Sequence, residues 1–146
     1  KLYLDLQQMR FKTIFDFNIV LDDSIDPENI SIPPMLTQPC VENSIEHGLL
    51  PSKDKGNLQI TYTLCNGLIK LEVTDNGIGR RDAFTRGKGK NDKKSLSTMM
   101  TRERLENFRK RLRNRSISYE ITDLYKDDKA TGTRVVMMLP YKKIYA

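Results

Sequence analysis

A chain of 146 residues suits one domain with a core of its own. At 38% hydrophobic and 30% charged it has a globular balance, which excludes a disordered chain, and no apolar run is long enough to span a bilayer. The formal net charge of +6 is uneven: residues Arg80 to Arg115 hold 14 Lys and Arg against 4 Asp and Glu, so the remainder carries an acidic surplus. A basic segment of that kind meets nucleic acid, a polyphosphate or plain solvent. Few aromatics interleave with it, which argues against base stacking, so no nucleic-acid partner is expected. The start, Lys1-Leu2-Tyr3-Leu4-Asp5, has neither Met nor a signal-peptide core, so the expectation is a fragment of a longer protein. Cys40 and Cys65 lack metal or disulfide spacing and read as buried free thiols.

In chain order, Lys1 to Arg10 reads as the end of a helix, with Leu2, Leu4, Leu6 and Met9 as its apolar positions. Phe15 to Leu21 alternates as a strand does, and Asp22 to Asn29 is a polar turn around Pro27. Ile32-Pro33-Pro34 announces a helix, since proline fits a first turn. Pro39 leaves the start open, because it suits that helix only if it lies in the true first turn, after Thr37. Leu36, Cys40, Val41, Ser44 and Ile45 form one apolar or small stripe at helical spacing, Asn43 and His47 share another face, and Gly48 is placed to end the helix. Leu58 to Leu64 and Leu68 to Thr74 are strands joined by Asn66-Gly67, a strong hairpin dipeptide. Residues 77 to 96 read as a long loop of Gly, Lys, Asp and Arg. Ser97 to Asn114 follows as a basic helix with Leu105, Phe108 and Leu112 inward. Ile117 to Tyr125 and Arg134 to Leu139 are two more strands, joined by residues 127 to 132. The order predicts an α/β chain, more narrowly an α+β two-layer sandwich: one mixed, mostly antiparallel sheet of about five strands with about three helices on one face.

Chemistry concentrates in two groups. Asn43-Ser44-Ile45-Glu46-His47 offers an amide and an imidazole one helical turn apart, and Asp75-Asn76-Gly77-Ile78-Gly79 follows a strand end. An Asn oxygen can bind Mg²⁺, a hard cation that bridges phosphates. An Asp at a strand end can accept from an exocyclic amine, and two glycines permit positive φ and close approach of backbone. Taken singly, each residue has a plainer role: Asp75 as a turn former, Asn43 as a surface amide, His47 as a tolerated helix-end charge.

Taken together they resemble the GHKL superfamily of ATP-binding domains, and within it histidine kinases of the LytS/YehU-like kind. Residues 38 to 48 (Gln-Pro-Cys-Val-Glu-Asn-Ser-Ile-Glu-His-Gly) resemble that group's N box, and residues 75 to 79 its first glycine box. Thr101-Arg102-Glu103-Arg104-Leu105 resembles the helix after its ATP lid, Gly132 to Pro140 its closing strand, and Tyr3 to Phe11 the exit from its dimerisation helices. The resemblance implies a dimerisation-helix end over 1–12 and an ATP-binding catalytic domain over 13–146, with a lid at about 80–96. It implies Asn43 as Mg²⁺ ligand, Asn43 and His47 at the phosphates, and Asp75 as adenine reader, with Gly77, Gly79, Ser97 and Thr133 around the nucleotide. Ser97 departs from the pattern, standing where the family's lid usually has glycine. It implies ATP and Mg²⁺ as cofactors and phosphoryl transfer to a histidine on a dimerisation domain outside this chain. The full-length protein would then be a homodimer in the bacterial cytoplasmic membrane, with this domain on the cytoplasmic side and a response regulator receiver domain as partner. Two readings compete on the same fold, a degenerate nucleotide-binding module and an ATP hydrolase. Hydrolysing relatives carry a Glu one turn before the metal Asn, where this chain has Pro39.

Overall fold

The computed structural model describes residues 1–11, 14–80 and 91–144, and for 91–97 the backbone alone. The helices are α1 (Leu2–Arg10), α2 (Thr37–Asn43), which continues as a π-helical turn over Ser44–Leu49, and α3 (Asn91–Leu112). The strands are β1 (Phe15–Leu21), β2 (Ile30–Ser31), β3 (Gly56–Cys65), β4 (Leu68–Asp75), β5 (Ser118–Lys126), β6 (Lys129–Leu139) and β7 (Lys142–Lys143). Five of them make one sheet in the order β1-β3-β4-β6-β5. β1 and β3 run parallel; the other pairs are antiparallel. The expected mixed, mostly antiparallel sheet with helices against it is therefore the fold.

Period-two burial sets the sheet's inner face. Ile69, Leu71 and Val73 of β4 are buried, and Lys70, Glu72 and Thr74 between them are less so. In β6, Val135, Met137 and Leu139 repeat the pattern. Cys40, Val41, Ser44, Ile45 and Leu49 of α2 and its extension are all buried against this face, and each fully buried aliphatic side chain contributes about 1.5–3 kcal/mol. The outer face carries polar pairs instead. Arg134 bonds Glu72 at 2.9 Å and Lys70 approaches it at 3.0 Å, which holds the Glu72 carboxyl below its usual range.

Two hairpins fix the antiparallel registers. Asn66 and Gly67 both take positive φ, at 49° and 74°, as a two-residue type I′ turn requires. Asp127 and Asp128 do the same at 48° and 59°. The connection expected over 127–132 is thus only two residues long, and β6 begins at Lys129. Asp is among the residues that tolerate this conformation, but without glycine after it the turn carried no sharp signal.

Three helix boundaries differ from expectation. Ile32-Pro33-Pro34 does not open α2. Met35 sits at φ 61° and the helix begins at Thr37, so Pro39 falls in the first turn, where its missing N–H costs nothing. Gly48 does not close it: the winding loosens after Asn43, the Leu50 N–H reaches the Ile45 carbonyl at 2.9 Å, and Gly48 is interior. α3 begins at Asn91 rather than Ser97, so residues 91–96 of the expected lid are helical. Those residues have no apolar periodicity to mark them, and a helix without an apolar stripe is invisible to pattern. Its inward residues are Thr101, Leu105 and partly Phe108, whereas Leu112 is exposed. Of the α1 apolar set only Leu4 is buried. Cys40 is a buried free thiol as expected, but Cys65 is only partly covered. The small β2–β7 ladder has no signature in the sequence, since two-residue strands leave no periodic trace.

Candidate functional site

The two sequence groups meet backbone to backbone. The turn after β4 lies flat on the π-helical end of α2: the Ile78 N–H donates to the Gly48 carbonyl at 3.1 Å. A Cβ on Gly77 would stand 2.6 Å from the Gly48 Cα, and one on Gly48 would stand 3.0 Å from Asp75 Oδ1. Gly77 therefore has no room for a side chain, because another chain segment fills it. Gly79 differs, needing its positive φ of 73°. The Gly77 N–H donates to Asp75 Oδ1 at 3.0 Å and orients the carboxylate, which is only 3% exposed. Asn76 turns away from the site. Its side-chain oxygen accepts from the Asn57 N–H at 2.6 Å and its amide donates to the Lys55 carbonyl at 3.2 Å, tying the turn to β3.

A cleft opens above this junction. Asn43, His47 and Gly48 from α2, Asp75 and Gly79 from the β4 turn, and Thr133 from β6 line one side of it. Thr98 of α3 and Tyr119 and Ile121 of β5 line the other. Asn43, His47, Asp75, Gly79 and Thr133, expected from the sequence at one site, are thus brought together. Gly77, also expected there, is not among the lining residues; it packs on Gly48, which is. The side chain of Ser97 and residues 81–90 of the expected lid lie outside the described residues. Thr133 is the register partner of Asp75. Gly132 makes that pairing possible: at φ 138° it presses its Cα on the Asp75 carbonyl, and any Cβ there would collide with that oxygen.

Tyr119, Cys40 and Arg80 also line the cleft, and no short motif singles them out as site residues. Tyr119 reaches across to Cys40 and Thr98, and burial holds its phenol proton well above the usual value. Arg102 lies over its ring at 5.3 Å. Cys40 donates weakly to the Leu36 carbonyl at 3.7 Å, and burial pushes its thiol up to about 12, so the thiolate is absent near neutrality. Arg80, expected in a loose lid, instead grips Asp123 of β5 with two hydrogen bonds, at 2.7 and 2.8 Å. A long cation after a glycine turn gives no hint of its partner 43 residues away.

Among the described residues no group of three His, Cys, Asp or Glu side chains could hold a metal alone. Asn43 offers a single oxygen at the cleft. That donor set fits a magnesium ion held mostly by phosphate and water, with one protein ligand.

This architecture is that of histidine kinase catalytic domains. The fold matches the histidine kinase domain of a blue-light activated kinase from Erythrobacter litoralis (TM-score 0.60, 15% identity, 94% of this chain and 60% of that one). It also matches the catalytic domain of histidine kinase ThkA (TM-score 0.56, 14% identity, 94% and 87%). In sequence, the chain is 33% identical over 140 residues to the sensor protein LytS of Oceanobacillus iheyensis, covering 96% of this chain and 23% of that protein. It is 28% identical over 142 residues to the sensor histidine kinase/phosphatase LytS of Staphylococcus aureus strain MRSA252, covering 97% and 23%. No protein-family model matches. The chain spans about a quarter of the length of the curated relatives it matches. It belongs with the GHKL-type catalytic domains of LytS-like sensor histidine kinases.

Proposed function

We propose that this domain binds ATP with Mg²⁺ and supplies the γ-phosphoryl group to a histidine on a dimerisation domain outside this chain. The observation that carries the reading is one cleft in which a buried, oriented carboxylate faces an amide and an imidazole one helical turn apart. Asp75 accepts from the adenine amino group, with Thr133 beside it in register. Asn43 holds the metal and His47 faces the phosphates. A magnesium ion held at Asn43 would supply charge neutralisation at the phosphates. The protein's own contribution is position: Asp75 fixes the base, Asn43 and His47 fix the other end, and the cleft walls limit water. The place one helical turn before Asn43, where hydrolysing relatives carry a Glu, is Pro39, which cannot activate water. Glu42 bonds Gln38 at 2.7 Å on the helix exterior and is not among the cleft residues. In the whole protein, which pairs as a homodimer at the cytoplasmic membrane, the phosphoryl group passes on to a response regulator.

Calorimetry with a non-hydrolysable ATP analogue, with and without Mg²⁺, tests this. Asp75→Asn removes a charge-assisted hydrogen bond of roughly 1.5–3 kcal/mol, so affinity should fall about tenfold or more while Tm barely moves. Asn43→Ala should remove only the Mg²⁺-dependent part of binding. Unchanged affinity in Asp75→Asn would take that residue out of the site.

A further inference from the structure

Asp75 has a counterpart. Thr133 is the register partner of Asp75 on one side and of Asp123 on the other, so the three stand in one row across β4, β6 and β5. Directly paired residues share a face of the sheet, and Asp75 and Thr133 line the cleft. At roughly 4.8 Å per strand the two aspartate backbones are about 10 Å apart. The Asp75 carboxylate takes a backbone N–H, whereas that of Asp123 takes the Arg80 fork through Nε and Nη2. Arg80 is itself a cleft residue. Its backbone is pinned just upstream, where Gly79 lies so close to Ala130 that a Cβ would come within 2.9 Å of that side chain.

Two consequences follow for Arg80. Its charge is already matched by Asp123, so it attracts a second anion poorly. Its plane is fixed by the two-point bond, and the edge spent on Asp123 is not available to a ligand. What such a guanidinium offers the cleft is its flat face, which stacks plane on plane with an aromatic ring, a contact the compact ammonium of Lys does not reproduce. We propose that the Arg80–Asp123 pair is a specificity-determining wall that contacts the flat base of the bound nucleotide through the guanidinium face. This rests on the nucleotide reading of the cleft and adds to it a contact on the base, in the same row as the residue that reads the base edge.

The test is displacement of a fluorescent ATP analogue by adenosine, ADP and a non-hydrolysable ATP analogue, using wild type, Arg80→Ala and Arg80→Lys. Arg80 is half-exposed, so both variants should fold. The expected result is a loss of about three- to tenfold in Arg80→Ala, equal for all three competitors and insensitive to salt. Arg80→Lys should not restore it, because charge without a plane is not enough. Unchanged affinities overturn the proposal, as does lowered Tm with unchanged affinity, which would make the pair a brace. A loss confined to ADP and the ATP analogue, shrinking at high salt, overturns it in favour of a phosphate contact. A wild type that binds neither the probe nor adenosine overturns both this and the nucleotide reading. If Asp75→Asn weakens binding and Arg80→Ala does not, only the wall is lost.

Discussion

The two walls of the cleft are built by different means. On the α2–β4 side, backbone lies on backbone: Gly77 on Gly48, Gly132 on the Asp75 carbonyl, and the Ile78 N–H on the Gly48 carbonyl. On the α3 side the helix is held by side chains, chiefly buried Leu105 and Thr101, and by Arg102 and Thr98 around Tyr119. Met99, Met100 and Leu112 of the same helix remain exposed. Backbone contact leaves no rotamer freedom, so the Asp75 wall is preset. The α3 wall depends on side-chain packing instead, which fixes a position less strictly than backbone contact does.

The largest expected effect comes from wedging the preset wall apart. Gly132→Ala puts a Cβ onto the Asp75 carbonyl at a φ of 138°, where side chains are disfavoured. Overpacking and backbone strain together should cost about 3 kcal/mol or more, read as a drop in Tm or in urea midpoint. A variant as stable as wild type would show that β4 and β6 are less tightly joined than the geometry says.

Leu105→Ala should come next, at about 2–3 kcal/mol, toward the lower end for a buried leucine because α3 rests on the sheet by one side only. Hydrogen exchange sharpens the comparison: amides of α3 should exchange faster in the variant while those of β4 keep their protection. Equal acceleration in both would mean that the two walls open as one unit.

A pH series read up to about pH 9.5 gives a smaller effect, about 1.4 kcal/mol, from the residues that join the walls. Cys40 titrates at about 12 in the fold and near 8.5 when unfolded. Between those values the unfolded chain has lost a proton that the folded chain keeps, so stability falls as pH rises. Tyr119, shifted in the same direction by burial, adds to the fall at its upper end. Stability should be level below about pH 8 and decline above it, and Cys40→Ala should flatten the first part of that decline. A decline unchanged in Cys40→Ala would assign it elsewhere.

Arg102→Ala should do least. An exposed cation–π contact is worth about 0.5–1 kcal/mol, so Tm should fall by only a few degrees, with α3 exchange again the most sensitive readout.

Most of the sheet was readable because its signals are local. Phe15 to Leu21 and Leu68 to Asp75 alternate, and Asn66-Gly67 turns a hairpin by its own conformational preference. Asn43, His47, Asp75, Gly79 and Thr133 are expected together because several short patterns in a fixed order resemble a known family, and the fold brings them to one cleft. The reach of α3 back to Asn91 was not readable, because polar residues form helix without leaving an apolar stripe. The passage of α2 through Gly48 has the opposite cause: glycine usually ends a helix, and it is the Asp75 carboxylate, 3.0 Å from where a Gly48 Cβ would stand, that accounts for a glycine in its interior.

The sequence by itself determined which residue types carry the chemistry and which segments alternate, since both depend on near neighbours along the chain. Tertiary structure alone decided what each glycine touches, that Tyr119 reaches Cys40 and Thr98, and that Arg80 binds Asp123. Those are contacts between segments tens of residues apart. Local spacing does not encode them, because they follow from sheet order and register, which set the row of Asp75, Thr133 and Asp123.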